Sequence, residues 1–376
     1  MSDIVLHNDG ALINTMLGAG IPGRDKSLGY QSGTLTLIDQ RLADLLHGES
    51  FECRSVIETI PEEMTREGWE LTVDDAKPEI IEQITNYDRK LGLVGAFRDA
   101  QIKANMYGGA IAILLIDDGQ PSDRPVDENR IKTIEAGTSA IDRWQVNAIG
   151  GTLENPEHYQ IVNQFGLLNV GGNTLGSGLI HHSRVLRFDG DWAPQQIRLS
   201  NQGWGYSKLQ RFLRPFQDYF AAYGSLGAML ADASIFTYKI KGLLEMIKQG
   251  KEGLLRARLQ ENWLATSTYG AMITDAELED ASFVDRNFGN LDQVCDRFER
   301  RLVAGSDGLP HSYVLGRSSG SGGLSGNGED EEKYMAKLVK RRQEKCFREN
   351  LERSYNLIFA AKDSPVDKAK TKFTLN

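Results

Sequence analysis

The chain has 376 residues, of which 40% are hydrophobic and 25% charged, and its formal net charge is −9. That length provides for two or three compact units with ample core material. The acidic balance argues against a protein that grips nucleic acid by neutralising phosphates over a broad surface, although an acidic or neutral lumen would let a duplex pass without sticking.

The longest apolar run, residues 110–116, falls far short of the roughly 20 residues that span a bilayer. The opening MSDIVLHNDGAL shows no basic segment followed by an apolar one, so no secretion signal is expected. Cys53, Cys295 and Cys346 lack CxxC spacing and fall in helical contexts. Free thiols in a reducing compartment, no structural metal and no cofactor are therefore expected.

Residues 1–33 are glycine-rich and weakly patterned, which suits a loose arm. Over 34–48, Ile38, Leu42 and Leu45 share one helical stripe, and a second helix is expected over 51–64, ended or kinked by Pro61. Residues 69–73 alternate like a short strand. Helices follow over 78–89 and 93–106, the latter broken by Gly108-Gly109, and then 110–116 is an apolar strand. From 117 to 191 the pattern changes to short strands (141–146, 158–162 and 185–188) punctuated by glycines.

Leu209, Phe212, Phe216, Phe220, Tyr223 and Leu226 recur every three or four positions, giving a long helix over 207–231 that Pro215 kinks or starts. Residues 232–286 form a mixed insert, basic through Trp263 and acidic at Asp275, Glu277, Glu279, Asp280 and Asp285. Leu291, Val294, Phe298 and Leu302 mark another helix over 291–304. Residues 315–328, ten of fourteen being Gly or Ser, cannot bury enough apolar surface to offset their backbone entropy, so a mobile loop held at both ends is expected. A polar helix over about 330–361 closes the pattern, and no repeat is present. Two helices bracketing an insert form an antiparallel pair with the insert at its tip. Such a lone pair would leave Phe212, Phe216, Phe220 and Phe298 partly uncovered.

No catalytic set is complete. Gly18–Gly23 matches GxGxxG but carries Pro22 where a helix interior should follow. The glycine-serine tract lacks the Gly-Lys-Ser/Thr ending of a phosphate loop. His181-His182-Ser183 contains one H-x-S step, whereas the other four histidines have no Ser or Thr two residues on. A two-histidine phosphoesterase needs a pair, one imidazole as base and one as acid, so a turn before the next strand is the expectation. Asp117-Asp118-Gly119 and Asp189-Gly190-Asp191 complete no calcium loop and suit strand-end turns.

Five strings in order resemble the portal proteins of tailed bacteriophages, and in particular the portal family whose N-terminal part is also described as anti-CBASS-like. They are IETIPEEMTREG at 57–68, NMYGGA at 105–110, IHHSRVLRFDG at 180–190, WGYSKLQ at 204–210, and the segment from Leu309-Pro310 to Leu324-Ser325-Gly326-Asn327-Gly328-Glu329. In the last, Gly326-Asn327 stands where the family has a small residue and Thr.

The resemblance implies an α+β portal fold: N-terminal arm 1–33, wing 34–205, first stem helix 206–231, small α/β clip 232–286, second stem helix 287–311, tunnel loop 312–328 and short helical crown 329–376. Beyond residue 360 the chain runs shorter than the family usually does. It implies a non-enzymatic subunit of a dodecameric ring at one capsid vertex, a head-tail connector for DNA packaging and ejection. The ring would be assembled in the host cytoplasm and carried in the virion. Its partners would be the terminase large subunit, then a head-tail adaptor, the major capsid protein or scaffold, and double-stranded DNA passing without sequence specificity, with no membrane. The tunnel loop would present Arg317, Ser318, Ser319, Gly320, Ser321, Gly322, Gly323, Ser325 and Asn327 to the channel. The clip would present Lys239, Lys241, Lys248, Lys251, Arg256 and Arg258 to partners or neighbouring subunits, unless these charges form only a solvated face. The alternatives are a two-histidine phosphoesterase related to anti-defence proteins, or a generic capsid-associated adaptor.

Overall fold

Polar caps set the first two helices. The Asp39 carboxylate accepts from the Leu42 amide at 2.8 Å and opens α1 (Gln40–Glu49), and the Ser50 hydroxyl accepts from the Cys53 amide at 3.1 Å and opens α2 (Phe51–Thr65). The computed structural model describes residues 37–69, 71–73, 78–136, 140–162, 169–170, 173–174, 178–231, 234–241, 243–250, 252–269, 279–285, 291–316, 327–364 and 373–375. The glycine-rich arm and the GxGxxG step lie outside them.

Pro61 does not end α2. A proline leaves the carbonyl four residues earlier without its helical donor. Here that carbonyl belongs to Ile57, and the Asn105 side-chain amide donates to it at 3.0 Å, so the helix runs on to Thr65. After β1 (Leu71–Val73), α3 (Pro78–Leu91) and α4 (Leu93–Tyr107) are separated by Gly92 at φ +67°, a left-handed turn that suits glycine.

The apolar run expected as a strand becomes β2 (Gly109–Asp117), whose first six residues are all buried. It pairs antiparallel with β3 (Thr133–Ala136), with β4 (Ile141–Asp142) and, further along, with β10 (Val185–Asp189). A second antiparallel sheet runs β5 (Val146–Ile149), β6 (His158–Ile161), β9 (Leu179–His181), and β7 (Asn169–Val170) pairs with β8 (Asn173–Thr174). The core between the two larger sheets gathers Ile111, Ile113, Ile141, Val146, Tyr159, Ile180, Val185 and Trp204. Residues expected as one strand over 141–146 split, because Arg143–Gln145 form a 3₁₀ turn in which the Asp142 carboxylate accepts from the Trp144 amide at 2.9 Å.

The turn after β2 is locked by a buried ion pair. Arg184 donates to the Asp118 carboxylate at 2.7 Å and to the carbonyls of Arg124 and Ile116, while Asp118 also accepts from the amides of Gln120 and Asp127. The carboxylate at 118 is therefore fully committed to fixing a loop, as its strand-end position suggested. Burial works to raise its pKa, and the amide bonds and Arg184 outweigh this and hold it below the usual range.

After α5 (Gln195–Ser200) comes α6 (Leu209–Ala231). The chain then passes through β11 (Ser234–Ile240), α7 (Leu243–Lys248), α8 (Glu252–Tyr269), β12 (Glu279–Asp285), α9 (Leu291–Gly305) and the short α10 (His311–Val314). The expected single polar helix near the C-terminus is instead two, α11 (Asn327–Cys346) and α12 (Arg348–Ala360). They break at Phe347, which is buried and packs edge-on against Phe97 at 5.2 Å, an apolar anchor that a continuous polar helix would not provide.

Tyr355 of α12 donates to Asp88 of α3 at 2.9 Å and accepts from Trp69 at 2.6 Å. The strand β13 (Phe373–Leu375) pairs antiparallel with β1, a pairing that the local pattern did not announce. By contacts the chain divides into two units, Met1–Gln210 with Leu324–Asn376, and Arg211–Gly323.

Candidate functional site: a glycine junction and an antiparallel helix pair

Three of the family-like strings meet at one place in the first unit. Gly108 ends α4 at φ +91°, and its carbonyl accepts from the Gly190 amide at 3.0 Å. Asp191 and Tyr206 exchange both backbone hydrogen bonds, at 2.9 and 2.8 Å. The Lys208 amide reaches the Asn105 carbonyl at 2.8 Å. A Cβ at Gly108 would lie 2.5 Å from the Gly205 carbonyl oxygen, one at Gly190 would lie 2.4 Å from that of Tyr206, and one at Gly109 would lie 2.1 Å from the Trp204 ring.

No side chain fits at these three positions, and backbone takes the place of side chains in the packing. Trp204 is fully buried there, with the Arg187 guanidinium 4.1 Å above its ring. Arg187 also donates to the Gly203 carbonyl at 2.8 Å and to Asp189 at 2.9 Å. The junction thus fixes the point from which the chain enters α6. Its signal in the sequence was the glycine in each string, which composition alone does not distinguish from a loop glycine.

Beside the junction is a cavity of about 270 Å³. Arg187, Lys208, Arg342 and Lys345 line it together with Asp189, Asp191 and Glu349, so its charge is nearly balanced. The H-x-S step also has a settled place. His181 ends β9 and its Nδ1 lies 2.9 Å from the Ser183 hydroxyl, with His182–Arg184 forming the expected turn. His158 and His182 are stacked on either side, at ring-centroid distances of 5.2 and 4.3 Å. Burial, with His182 and His158 adding to it, keeps the His181 imidazole below its usual pKa. Among the described residues no group of His, Cys, Asp or Glu could hold a metal ion, and no helix is long and apolar enough to cross a membrane.

In the second unit, α6 and α9 are antiparallel. Asp218, only 5% exposed, lies 3.0 Å from Arg301 and 3.5 Å from Arg214, and Tyr223 donates to Glu299. Nearer the far end of α9, Gly305 gives room to Pro215, since a Cβ there would lie 3.0 Å from the proline Cγ. Phe212, Phe216 and Phe220 stack along α6 at centroid distances of 5.8 and 4.6 Å. Phe220 is 51% exposed and Val294 40%, and Phe216 and Phe298 are half-buried. Phe212 is fully buried, against the expectation of partial cover.

At the tip of this unit β11 and β12 pair antiparallel over seven residues, from Ser234 opposite Asp285 to Ile240 opposite Glu279. Lys239 stands opposite Asp280 in that register, a cross-strand charge pair within one subunit. Lys241 follows the strand, Lys248 ends α7, and both are exposed. Arg256 is exposed and Arg258 half-buried on α8, two positions and so about 200° apart. The basic residues therefore spread over three elements and form no single patch. Lys251 lies outside the described residues, as do Arg317, Ser318, Ser319, Gly320, Ser321, Gly322, Gly323 and Ser325, while Asn327 is the first residue of α11.

Residues 46–375 match the sequence model of the family described as "Phage portal protein". An uncharacterized protein of Haemophilus influenzae is 25% identical over 328 residues, which cover 86% of this chain and 71% of that protein. The Anti-CBASS protein Acb1 of a Caulobacter species is 25% identical over 264 residues, covering 69% of this chain but 40% of that protein's length. Among solved structures, the neck of an empty gene transfer agent particle computed with C6 symmetry aligns at 10% identity and a TM-score of 0.49, covering 93% of this chain and 88% of that one. A portal protein of the HK97 phage family from Corynebacterium diphtheriae aligns at 8% identity and a TM-score of 0.33, covering 79% and 86%.

Proposed function

The chain belongs to the phage portal protein family, and from that premise we propose that it is the subunit of a dodecameric ring at one capsid vertex, through which DNA is packaged and later ejected. The family is structural rather than enzymatic. In this reading residues 34–205 form the wing, 206–231 and 287–311 the stem, 232–286 the clip, 312–328 the tunnel loop and 329–376 the crown. The supporting observation is the antiparallel α6–α9 pair, which carries a strand-and-helix insert at its tip and leaves Phe220 and Val294 half-open on its own surface. An apolar stripe of that kind on a structural protein calls for a neighbour, and a closed ring supplies one to every subunit.

The clip, with Lys239, Lys241, Lys248, Arg256 and Arg258 spread over its elements, is where the terminase large subunit and then a head-tail adaptor dock. The wing meets the major capsid protein or scaffold. Arg317, the single cation of the glycine-serine tract, recurs around the ring as a circle of positive charge that touches the DNA backbone without reading its sequence. The net charge of −9 limits sticking elsewhere. Electron microscopy of the purified protein is the test: rings with an axial hole are expected, and a monodisperse monomer at micromolar concentration would overturn the reading.

A further inference from the structure

Arg143 is 9% exposed, and its Nε and Nη1 atoms are buried without a hydrogen-bond partner. None of its nitrogens forms an ion pair within the subunit, although Asp142 precedes it in the chain: the Asp142 carboxylate is turned to the Trp144 amide. Burial pushes the Arg143 pKa down to about 10, the direction that marks a cation held away from water. A buried guanidinium with no counter-ion is costly, and structures retain one where something outside the subunit completes it.

The surroundings fit an interface. The guanidinium lies 4.4 Å from the Trp144 ring, and that ring is 43% exposed. Ile149 and Val162, also exposed, stand on one face of the β5–β6 sheet, since Ile149 is opposite His158 and the Val162 amide bonds the Gln145 carbonyl at 2.8 Å. An exposed tryptophan stacked on arginine, flanked by aliphatic side chains, is the composition of an interface centre. What is missing is an anion.

We infer that Arg143 and Trp144 receive a carboxylate side chain from the adjacent copy of this chain, so that each subunit completes the buried charge of the next. A copy of itself is a rich source of that group, with 52 Asp and Glu against 43 Lys and Arg. A carboxylate also matches the guanidinium fork with two parallel hydrogen bonds. The inference rests on the ring reading and adds to it a specific contact on the wing, away from the α6–α9 stripe.

The test is Arg143→Met, which keeps the length and apolar stem of the side chain and removes the charge. Dilution series by mass photometry should show its assembly midpoint raised about tenfold or more relative to wild type. At concentrations where both are monomeric, its thermal midpoint should equal or exceed that of wild type, because an uncompensated buried charge has been removed. Arg143→Lys, which keeps the charge but not the fork, should assemble between the two.

Unchanged assembly of Arg143→Met, with rings still formed by wild type, overturns the contact and leaves the ring reading standing. Parallel loss of assembly and of monomer stability overturns it too, since that marks a purely internal role. A short DNA duplex that quenches Trp144 emission in wild type but not in Arg143→Met would assign the site to phosphate instead. Failure of wild type to self-associate at any concentration removes both readings together.

Discussion

The glycine junction and the α6–α9 pair adjoin along the chain and solve opposite problems. At the junction Gly108, Gly109, Gly190 and Gly205 let backbone meet backbone, and Trp204 is sealed beneath them with no surface left for a partner. Along the pair, Phe220, Tyr223 and Val294 stay exposed by 37% or more, and polar ties such as Asp218–Arg301 and Tyr223–Glu299 hold the helices where apolar cover is thin. One region is complete within a subunit, and the other holds apolar surface in reserve for assembly. Close packing and exposed apolar area are thus divided between regions, and substitutions in the two should have different readouts.

The largest effect is expected at Gly109. In Gly109→Ala the new methyl would overlap the Trp204 ring, which cannot move without disturbing Arg187, so a stability loss of about 3 kcal/mol or more is expected in urea unfolding. A loss below about 1 kcal/mol would show that the junction is looser than its geometry and would weaken the contrast.

A middle effect is expected at Asp88, where burial raises the carboxyl pKa to about 6 from 3.8, only partly opposed by the bonds from Tyr355 and Trp69. The folded state then binds the proton more tightly than the unfolded state. This group therefore stabilises as pH falls from above 6 towards 4, and stability is lost as pH rises through about 6. Asp88→Asn, a neutral stand-in that can still accept from Tyr355, should gain roughly 1–2 kcal/mol over wild type at pH 7 and little at pH 4. Thermal midpoints across that range check it, and a parallel pH profile for the two proteins would refute it.

The smallest effect on subunit stability belongs to Phe220. Phe220→Ser should change monomer unfolding by less than about 1 kcal/mol, because its ring is already half-exposed, yet it should reduce ring formation in sedimentation velocity. If it unfolds the monomer instead, the stripe belongs to the subunit core and the comparison with the junction fails.

Element types were legible where periodicity was strong. The α6 stripe, the buried run of β2 and the helix over 291–304 come from spacings that only one secondary structure satisfies. The H-x-S step and the acidic strand ends were likewise legible as turns, because they lacked the companions that catalysis or calcium binding requires. Pro61 misled because the sequence cannot show that Asn105, 44 positions on, would satisfy the carbonyl that the proline freed. The 330–361 stretch misled because Phe347 looks like one apolar residue in a polar helix until Phe97 and Phe188 are beside it. In the candidate site, the strings at 105–110, 180–190 and 204–210 could be named from sequence, but their meeting at one point could not.

By itself the sequence determined the order of helices and strands, the antiparallel logic of helix, insert and helix, and the family, because these depend on local spacing and on strings of neighbouring residues. The tertiary structure alone decided which glycines are obligatory, which phenylalanine is sealed, that β13 returns to β1, and that Arg143 lies buried without a counter-ion. Each of these depends on atoms brought together from distant parts of the chain, and the free energy of close packing or of a missing partner is set by that meeting, not by the residues on either side.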